Sequence, residues 1–250
     1  MTTLTITKQN VLVLPDYTSL CECVAARIAD VVRAKPNAVL GLATGSSPLG
    51  VYDALARLHA EDGLDFSRVT CFNLDEYYPM QPDSPRSYYR FMECNLFSRI
   101  NCDRWHVPDG IERGLVEVDE DCRLYEAAIA IAGGVDLQLL GIGRTGHIGF
   151  NEPGSSSQSR TRLVELDPVT RQDAVKDFGS LDAVPTHAVT MGIGTIMESR
   201  EIILMASGSG KAAIVDLALN ARMSEDIPAT LLRSHPRVGY YLDDAAAAQL

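Results

Sequence analysis

The chain has 250 residues, 46% hydrophobic and 22% charged, with a formal net charge of −11 from 33 acids against 22 bases. This is an ordinary globular composition, enough for one large α/β domain or two small ones. The acidic balance, with no basic run, speaks against a nucleic-acid or acidic-membrane partner but leaves room for a small anionic substrate where a few bases converge.

The first eight residues carry no charged-then-apolar signal pattern. Val11–Leu14 is predicted as an opening strand, and residues 19–35 have helical spacing with Val24, Ile28, Val31 and Val32 on one face. Ala38–Ala43 is a second strand running into Thr44-Gly-Ser-Ser-Pro48, with a helix from Leu49 to His59 behind it. A strand, a small-residue turn and a helix N-terminus make a cradle in which backbone N–H groups meet a phosphate. Thr44, Gly45, Ser46 and Ser47 are the candidate ligands, with an ordinary strand-to-helix connection as the alternative. Arg68–Leu74 is a third strand ending at Asp75-Glu76-Tyr77-Tyr78. These acids are either a solvated turn or, at a strand's carboxyl end, the source of a general base. Ser87–Phe97 is an amphipathic helix expected to serve the core. Trp105–Val107 is a small strand in which His106 is structural, and residues 119–132 form a helix with an acidic first turn.

Val135–Leu140 reads as a buried strand of a parallel sheet. Behind it lies Gly141-Ile-Gly-Arg-Thr-Gly-His-Ile-Gly-Phe-Asn-Glu-Pro153. Its glycines let the backbone turn sharply and approach a ligand, while His147 and Glu152 are able to share a proton. In open α/β sheets ligands sit beyond the carboxyl ends of the strands, so this turn is the central candidate. From Gly154 to about Pro185 the chain is polar and carries Arg160, Arg162, Arg171 and Lys176, which suggests a lid at about 154–185.

Two further strands, His187–Met191 and Glu201–Ala206, flank a short helical turn. Ser207-Gly-Ser-Gly-Lys211 then opens a helix over 212–221. It is not a Walker A loop, because Met205 and Ala212 stand where glycine and a magnesium-binding hydroxyl belong, yet its amides and Lys211 offer a second phosphate cradle. A short helix over 227–233 and a strand over 238–242 complete one continuous domain without repeats. The longest apolar runs fall short of the ~20 residues that span a bilayer. The six cysteines show no zinc spacing, and Cys71 sits in a buried strand. The expectation is a cytoplasmic protein with reduced, structural thiols. Two cradles, a carboxylate pair and a His/Glu turn, with no nucleotide fingerprint and no metal-ligand cluster, fit cofactor-free acid–base chemistry on a compact phosphorylated substrate.

The blocks Leu-Ala-Thr-Gly-Ser-Ser-Pro, Phe-Asn-Leu-Asp-Glu-Tyr, Ser-Tyr-Tyr-Arg-Phe-Met, Gly-His-Ile-Gly-Phe-Asn-Glu-Pro and Gly-Ser-Gly-Lys-Ala run in order over nearly the whole chain. In this the sequence resembles the glucosamine-6-phosphate deaminase family. The resemblance implies a Rossmann-like α/β fold with a mostly parallel sheet flanked by helices, and conversion of glucosamine 6-phosphate and water to fructose 6-phosphate and ammonia. It implies that His147 opens the sugar ring with Glu152 supporting the imidazole, and that Asp75 moves the C2 proton to C1. The phosphate would lie on Thr44 to Ser47 with Lys211 and Lys176 as its cations. No cofactor or metal is implied, and assembly from a monomer to a homo-oligomer stays open.

Two residues depart from the family's best-known members. Thr145 replaces an aspartate two residues before the catalytic histidine, so a hydroxyl orients the site where a charge is usual. Val164 replaces the lysine that, with an arginine at the position of Arg162, holds the activator N-acetylglucosamine 6-phosphate, so little activation is expected. The rival readings are the same reaction on galactosamine 6-phosphate, a 6-phosphogluconolactonase, and a silent sugar-phosphate-binding regulator.

Overall fold

The computed structural model describes residues 10–250, so the signal reading of the first eight residues lies outside it. The chain opens with β1 (Val11–Leu14), α1 (Tyr17–Ala34) and β2 (Val39–Leu42). Asp16 caps α1 by accepting the Ser19 N–H at 2.7 Å, which satisfies a first-turn donor. Leu20, Val24, Ile28 and Val32, spaced by four, form the face buried against the sheet, while Val31 is only half-buried. There follow α2 (Leu49–Asp62), β3 (Thr70–Asn73), β4 (Asp75–Tyr78), α3 (Tyr88–Asn95), β5 (Arg104–His106), α4 (Leu115–Ile131) and β6 (Leu137–Leu140). The rest is β7 (Arg162–Glu165), α5 (Pro168–Phe178), β8 (His187–Thr190), α6 (Ile193–Met197), β9 (Ile202–Ala206), α7 (Ala212–Asn220) and β10 (Val238–Asp243). The predicted helix over 227–233 is a 3-10 segment, Pro228–Ser234.

Seven strands form a parallel sheet in the order β1-β10-β9-β6-β2-β3-β5. Every residue of β2, β6 and β9 is buried, as expected for strands with helices on both faces. From β2 the chain steps outward to β3 and β5, whereas from β6 it steps the other way to β9. The two loops that leave β2 and β6 therefore emerge side by side at the switch point of the sheet, where a crevice opens. His106 stacks on Phe72 with centroids 4.8 Å apart, in keeping with its expected structural role.

A second sheet was not anticipated. β4, β8 and β7 form an antiparallel set, with Asp75 opposite Thr190 and Tyr78 opposite His187. Asp75–Tyr78 is thus not a solvated turn but a strand with all four residues buried. The alternation explains this: Tyr77 packs with Phe150, Phe178 and Ala188 on one face, and Tyr78 with Val118, Cys122 and Val189 on the other. The polar 154–185 stretch supplies β7 and α5 to this layer. Among the described residues no helix is long and apolar enough to cross a membrane, and all six cysteines are free, Cys71 buried.

Candidate active site

A cavity of about 220 Å³ opens at the carboxyl ends of β2 and β6. Thr44, Gly45, Ser46, Ser47, Asp75, His147, Lys176 and Lys211 all line it. Glu152 and Thr145 stand behind His147 without lining the cavity. A larger cavity of about 620 Å³ against α4 gathers none of these residues, and its Glu126 is taken by the Thr161 and Thr195 hydroxyls. Chemistry, not volume, marks the site.

The loop after β2 owes its shape to residues outside it. Gly45 sits at φ +91°, a left-handed conformation that glycine adopts without strain. Tyr17 of α1 places its phenol between Ser46 O (3.1 Å) and Ser47 O (3.0 Å) and accepts the Gly50 N–H at 3.0 Å. Tyr52 donates to Ala43 O from below. Partial burial pushes the Tyr17 phenol up to about 12, so it stays a donor at every working pH. Sequence motifs name the loop but not these two tyrosines, which lie on flanking helices.

Asp75 and Glu76 divide the work. The Glu76 carboxylate accepts the N–H groups of Tyr77 (2.9 Å), Tyr88 (3.0 Å) and Tyr89 (2.9 Å), so it caps the start of α3 beside Ser87. Burial pushes its carboxyl up to about 7 against the pull of those three donors. Fixing α3 places Tyr88, predicted as core, on the cavity wall, its ring 5.0 Å from that of Tyr77 and stacked 6.0 Å from Phe150. Asp75 is 5% exposed and faces the cavity. Burial, then the neighbouring Glu76 charge, push its carboxyl up to about 8, well above the ordinary carboxylate range.

The glycine-rich turn folds over this carboxyl. Gly146 (φ +81°) and Gly149 (φ +56°) reverse the chain, and Gly143 leaves room for the imidazole: a Cβ there would fall 2.0 Å from His147 Nε2. His147 Nδ1 lies 3.1 Å from Glu152 Oε2 and 3.0 Å from Thr145 Oγ1. A carboxylate on Nδ1 holds the proton there and leaves Nε2 as the base. Burial alone would raise the Glu152 carboxyl, but His147, the Thr170 hydroxyl and the Asp167 N–H together hold it below its ordinary value.

The second glycine loop is not a cradle. Asp243, ending β10, accepts from Ser207 Oγ (2.5 Å) and the Gly208 N–H (3.0 Å), so the protein's own carboxylate fills the place of an anion. Only Lys211 reaches the cavity, its ammonium 2.7 Å from Ile142 O and its pKa lowered by burial. Residues the sequence reading passed over also line the cavity: Arg144, paired with Asp173 at 2.9 Å, and Thr170 and Asp177 of α5. Arg144 lies inside the central motif and was open to notice. Thr170, Asp173 and Asp177 had no signal beyond their own three- and four-residue spacing along α5. Among the described residues no cluster of three or more His, Cys, Asp or Glu side chains is placed as a metal site.

An open parallel sheet with a phosphate-type loop, a shielded carboxyl and a His–Glu dyad at one switch point defines an α/β acid–base enzyme of the sugar-phosphate class. The family model described as glucosamine-6-phosphate isomerases/6-phosphogluconolactonase matches residues 17–240. The chain belongs to that family. It is 47% identical over 240 residues to a glucosamine-6-phosphate deaminase of Bacillus velezensis, covering 95% of this chain and 98% of that one. It is 49% identical over 230 residues to glucosamine-6-phosphate deaminase 2 of Giardia intestinalis, covering 91% and 86%. A solved monomeric glucosamine-6-phosphate deaminase superposes with a TM-score of 0.93 at 43% identity, covering 96% of this chain and all of that one (100%). A 6-phosphogluconolactonase from Trypanosoma brucei shares the fold alone, with a TM-score of 0.78 at 22% identity over 99% and 100% of the two chains.

Proposed function

We propose that this protein converts glucosamine 6-phosphate and water to fructose 6-phosphate and ammonia. The observation that carries the reading is the convergence of Asp75, His147 and the Thr44–Ser47 loop on one cavity. Deaminase relatives at 42% to 49% identity support it over the lactonase, whose likeness is one of fold. Intact acid–base groups argue against a silent regulator.

In this reading the phosphate lies on Thr44, Gly45, Ser46 and Ser47 with Lys176 and Lys211 as cations. His147 Nε2 moves the proton between O5 and O1 and opens the ring, with Glu152 and Thr145 fixing its tautomer. Asp75 takes the C2 proton and returns it at C1, and water hydrolyses the resulting fructosimine to release ammonia. A carboxyl raised to about 8 is a poor base at neutral pH until a positive charge arrives, and the substrate's C2 ammonium supplies one. The segment at about 154–185 acts as a lid: α5 carries Thr170, Asp173 and Lys176 over the cavity and is held to the glycine turn by the exposed Arg144–Asp173 pair. We place the reaction in the cytoplasm, consistent with six free thiols.

Ammonia and ketose phosphate are measured together with purified protein and, separately, glucosamine 6-phosphate and galactosamine 6-phosphate. Equal yields of ammonia and fructose 6-phosphate from the first sugar support the proposal. Turnover of the second alone reassigns the substrate to the C4 epimer, and silence with both overturns the enzyme reading.

A further inference from the structure

His147 Nδ1 has three oxygens around it: Glu152 Oε2 at 3.1 Å, Thr145 Oγ1 at 3.0 Å and Thr170 Oγ1 at 3.3 Å. A single N–H is given best to one acceptor, and the carboxylate is the strongest of the three. The two hydroxyls are then free to turn their own protons to the carboxylate, which Thr145 Oγ1 reaches at 3.4 Å. Thr170 is 7% exposed and lies in the first turn of α5. Just ahead of it the Asp167 N–H donates to Glu152 Oε1 at 3.3 Å. The start of α5 thus grips Glu152 from one side and the glycine turn grips it from the other.

We propose that Thr170 is a positioning residue for the His147–Glu152 dyad, its hydroxyl completing, with that of Thr145, a two-hydroxyl cradle around the ring-opening base. Both hydroxyls act through Glu152 on the orientation and tautomer of His147. The same helix carries Lys176 at the cavity rim, six residues on, about 9 Å at the α-helical rise. Phosphate contact at Lys176 and alignment of the base at Thr170 are therefore borne by one rigid rod.

The inference rests on the proposed deaminase reaction, and wild-type turnover of glucosamine 6-phosphate is measured first to separate the two. If the wild type is inactive, that reading fails; if it is active, the variants decide. Thr170→Ala and Thr170→Val are compared with Thr170→Ser in kcat and KM, with circular dichroism confirming the fold. The expected result is a fall of about 10- to 100-fold in kcat with KM changed less than about threefold in the two hydroxyl-free variants, and recovery in Thr170→Ser. A Thr170→Ala enzyme with wild-type kcat overturns the inference. So does a Thr170→Ser enzyme as slow as Thr170→Ala, since packing and not the hydroxyl would then be at work.

Discussion

Gly149 lies against the Asp75 carboxyl: a methyl group added there would sit 3.3 Å from Asp75 Oδ2 and 3.0 Å from Thr190 Oγ1, on a backbone at φ +56°. The glycine-rich turn thus forms part of the roof over the carboxyl. Gly149→Ala forces a left-handed alanine and displaces a neighbour at once. A loss of about 1–3 kcal/mol in stability is expected, with kcat falling more than KM rises; urea unfolding and steady-state kinetics check both.

Asp75→Asn separates chemistry from folding. Turnover falls by about 10²–10⁴-fold while the substrate still binds. The folded carboxyl is raised to about 8 from 3.8, so the native state favours the protonated form. Its contribution to stability is complete below about pH 4 and is lost as pH rises through about 8. The asparagine variant therefore melts higher than wild type at pH 9, by roughly 2 kcal/mol or more, and nearly equally at pH 4. Thermal melts at the two pH values test the sign.

The same displacement shapes the pH profile. kcat/KM should climb as Asp75 ionises, with an acidic limb far above the ordinary carboxylate range and toward about 8. Glu76→Gln removes the like charge that helps raise Asp75, so the limb moves to lower pH. It also takes one acceptor oxygen from the Tyr88 and Tyr89 N–H groups, and stability falls by about 1–2 kcal/mol. A limb that stays in place on this substitution would show that Glu76 does not act on the base.

Tyr17→Phe removes the phenol that ties Ser46 and Ser47 to α1 and to Gly50 without touching the cavity. A loosened loop weakens phosphate binding alike in ground and transition states. KM should rise about fivefold, the equivalent of about 1 kcal/mol, with kcat unchanged. Inhibition by inorganic phosphate provides a second reading of the same loss.

Arg162 spends its guanidinium on Asn151 Oδ1 (2.9 Å) and Ser155 Oγ (3.1 Å), and Val164 offers no second cation two residues on. Adding N-acetylglucosamine 6-phosphate should leave KM unchanged within about twofold. A lowered KM in its presence would contradict this.

The parallel sheet and the dyad were readable because each is local: an apolar strand, a small-residue turn and a helix N-terminus follow one another within a dozen residues. The antiparallel sheet was not, since β4 is four polar or aromatic residues whose burial depends on β8, more than a hundred positions away. Asp243 misled in the same way. Ser207–Lys211 has the composition of an anion cradle, and the carboxylate that fills it comes from the last strand. Thr170 and Asp173 belong to a helix whose buried face is only Thr170, Ala174 and Phe178, so its polar surface reads as loop.

β3 ends at Asn73 in the parallel sheet and β4 begins at Asp75 in the antiparallel one, with Leu74 alone between them. Asp75 stands on the antiparallel layer and His147 on the turn that leaves the parallel one, so the two groups proposed to move protons are mounted on different layers. Their spacing is an inherited property of how the layers nest. Substitutions at buried contacts of the small layer, such as Tyr78 against Val118 and Val189, will retune catalysis without approaching the reacting atoms.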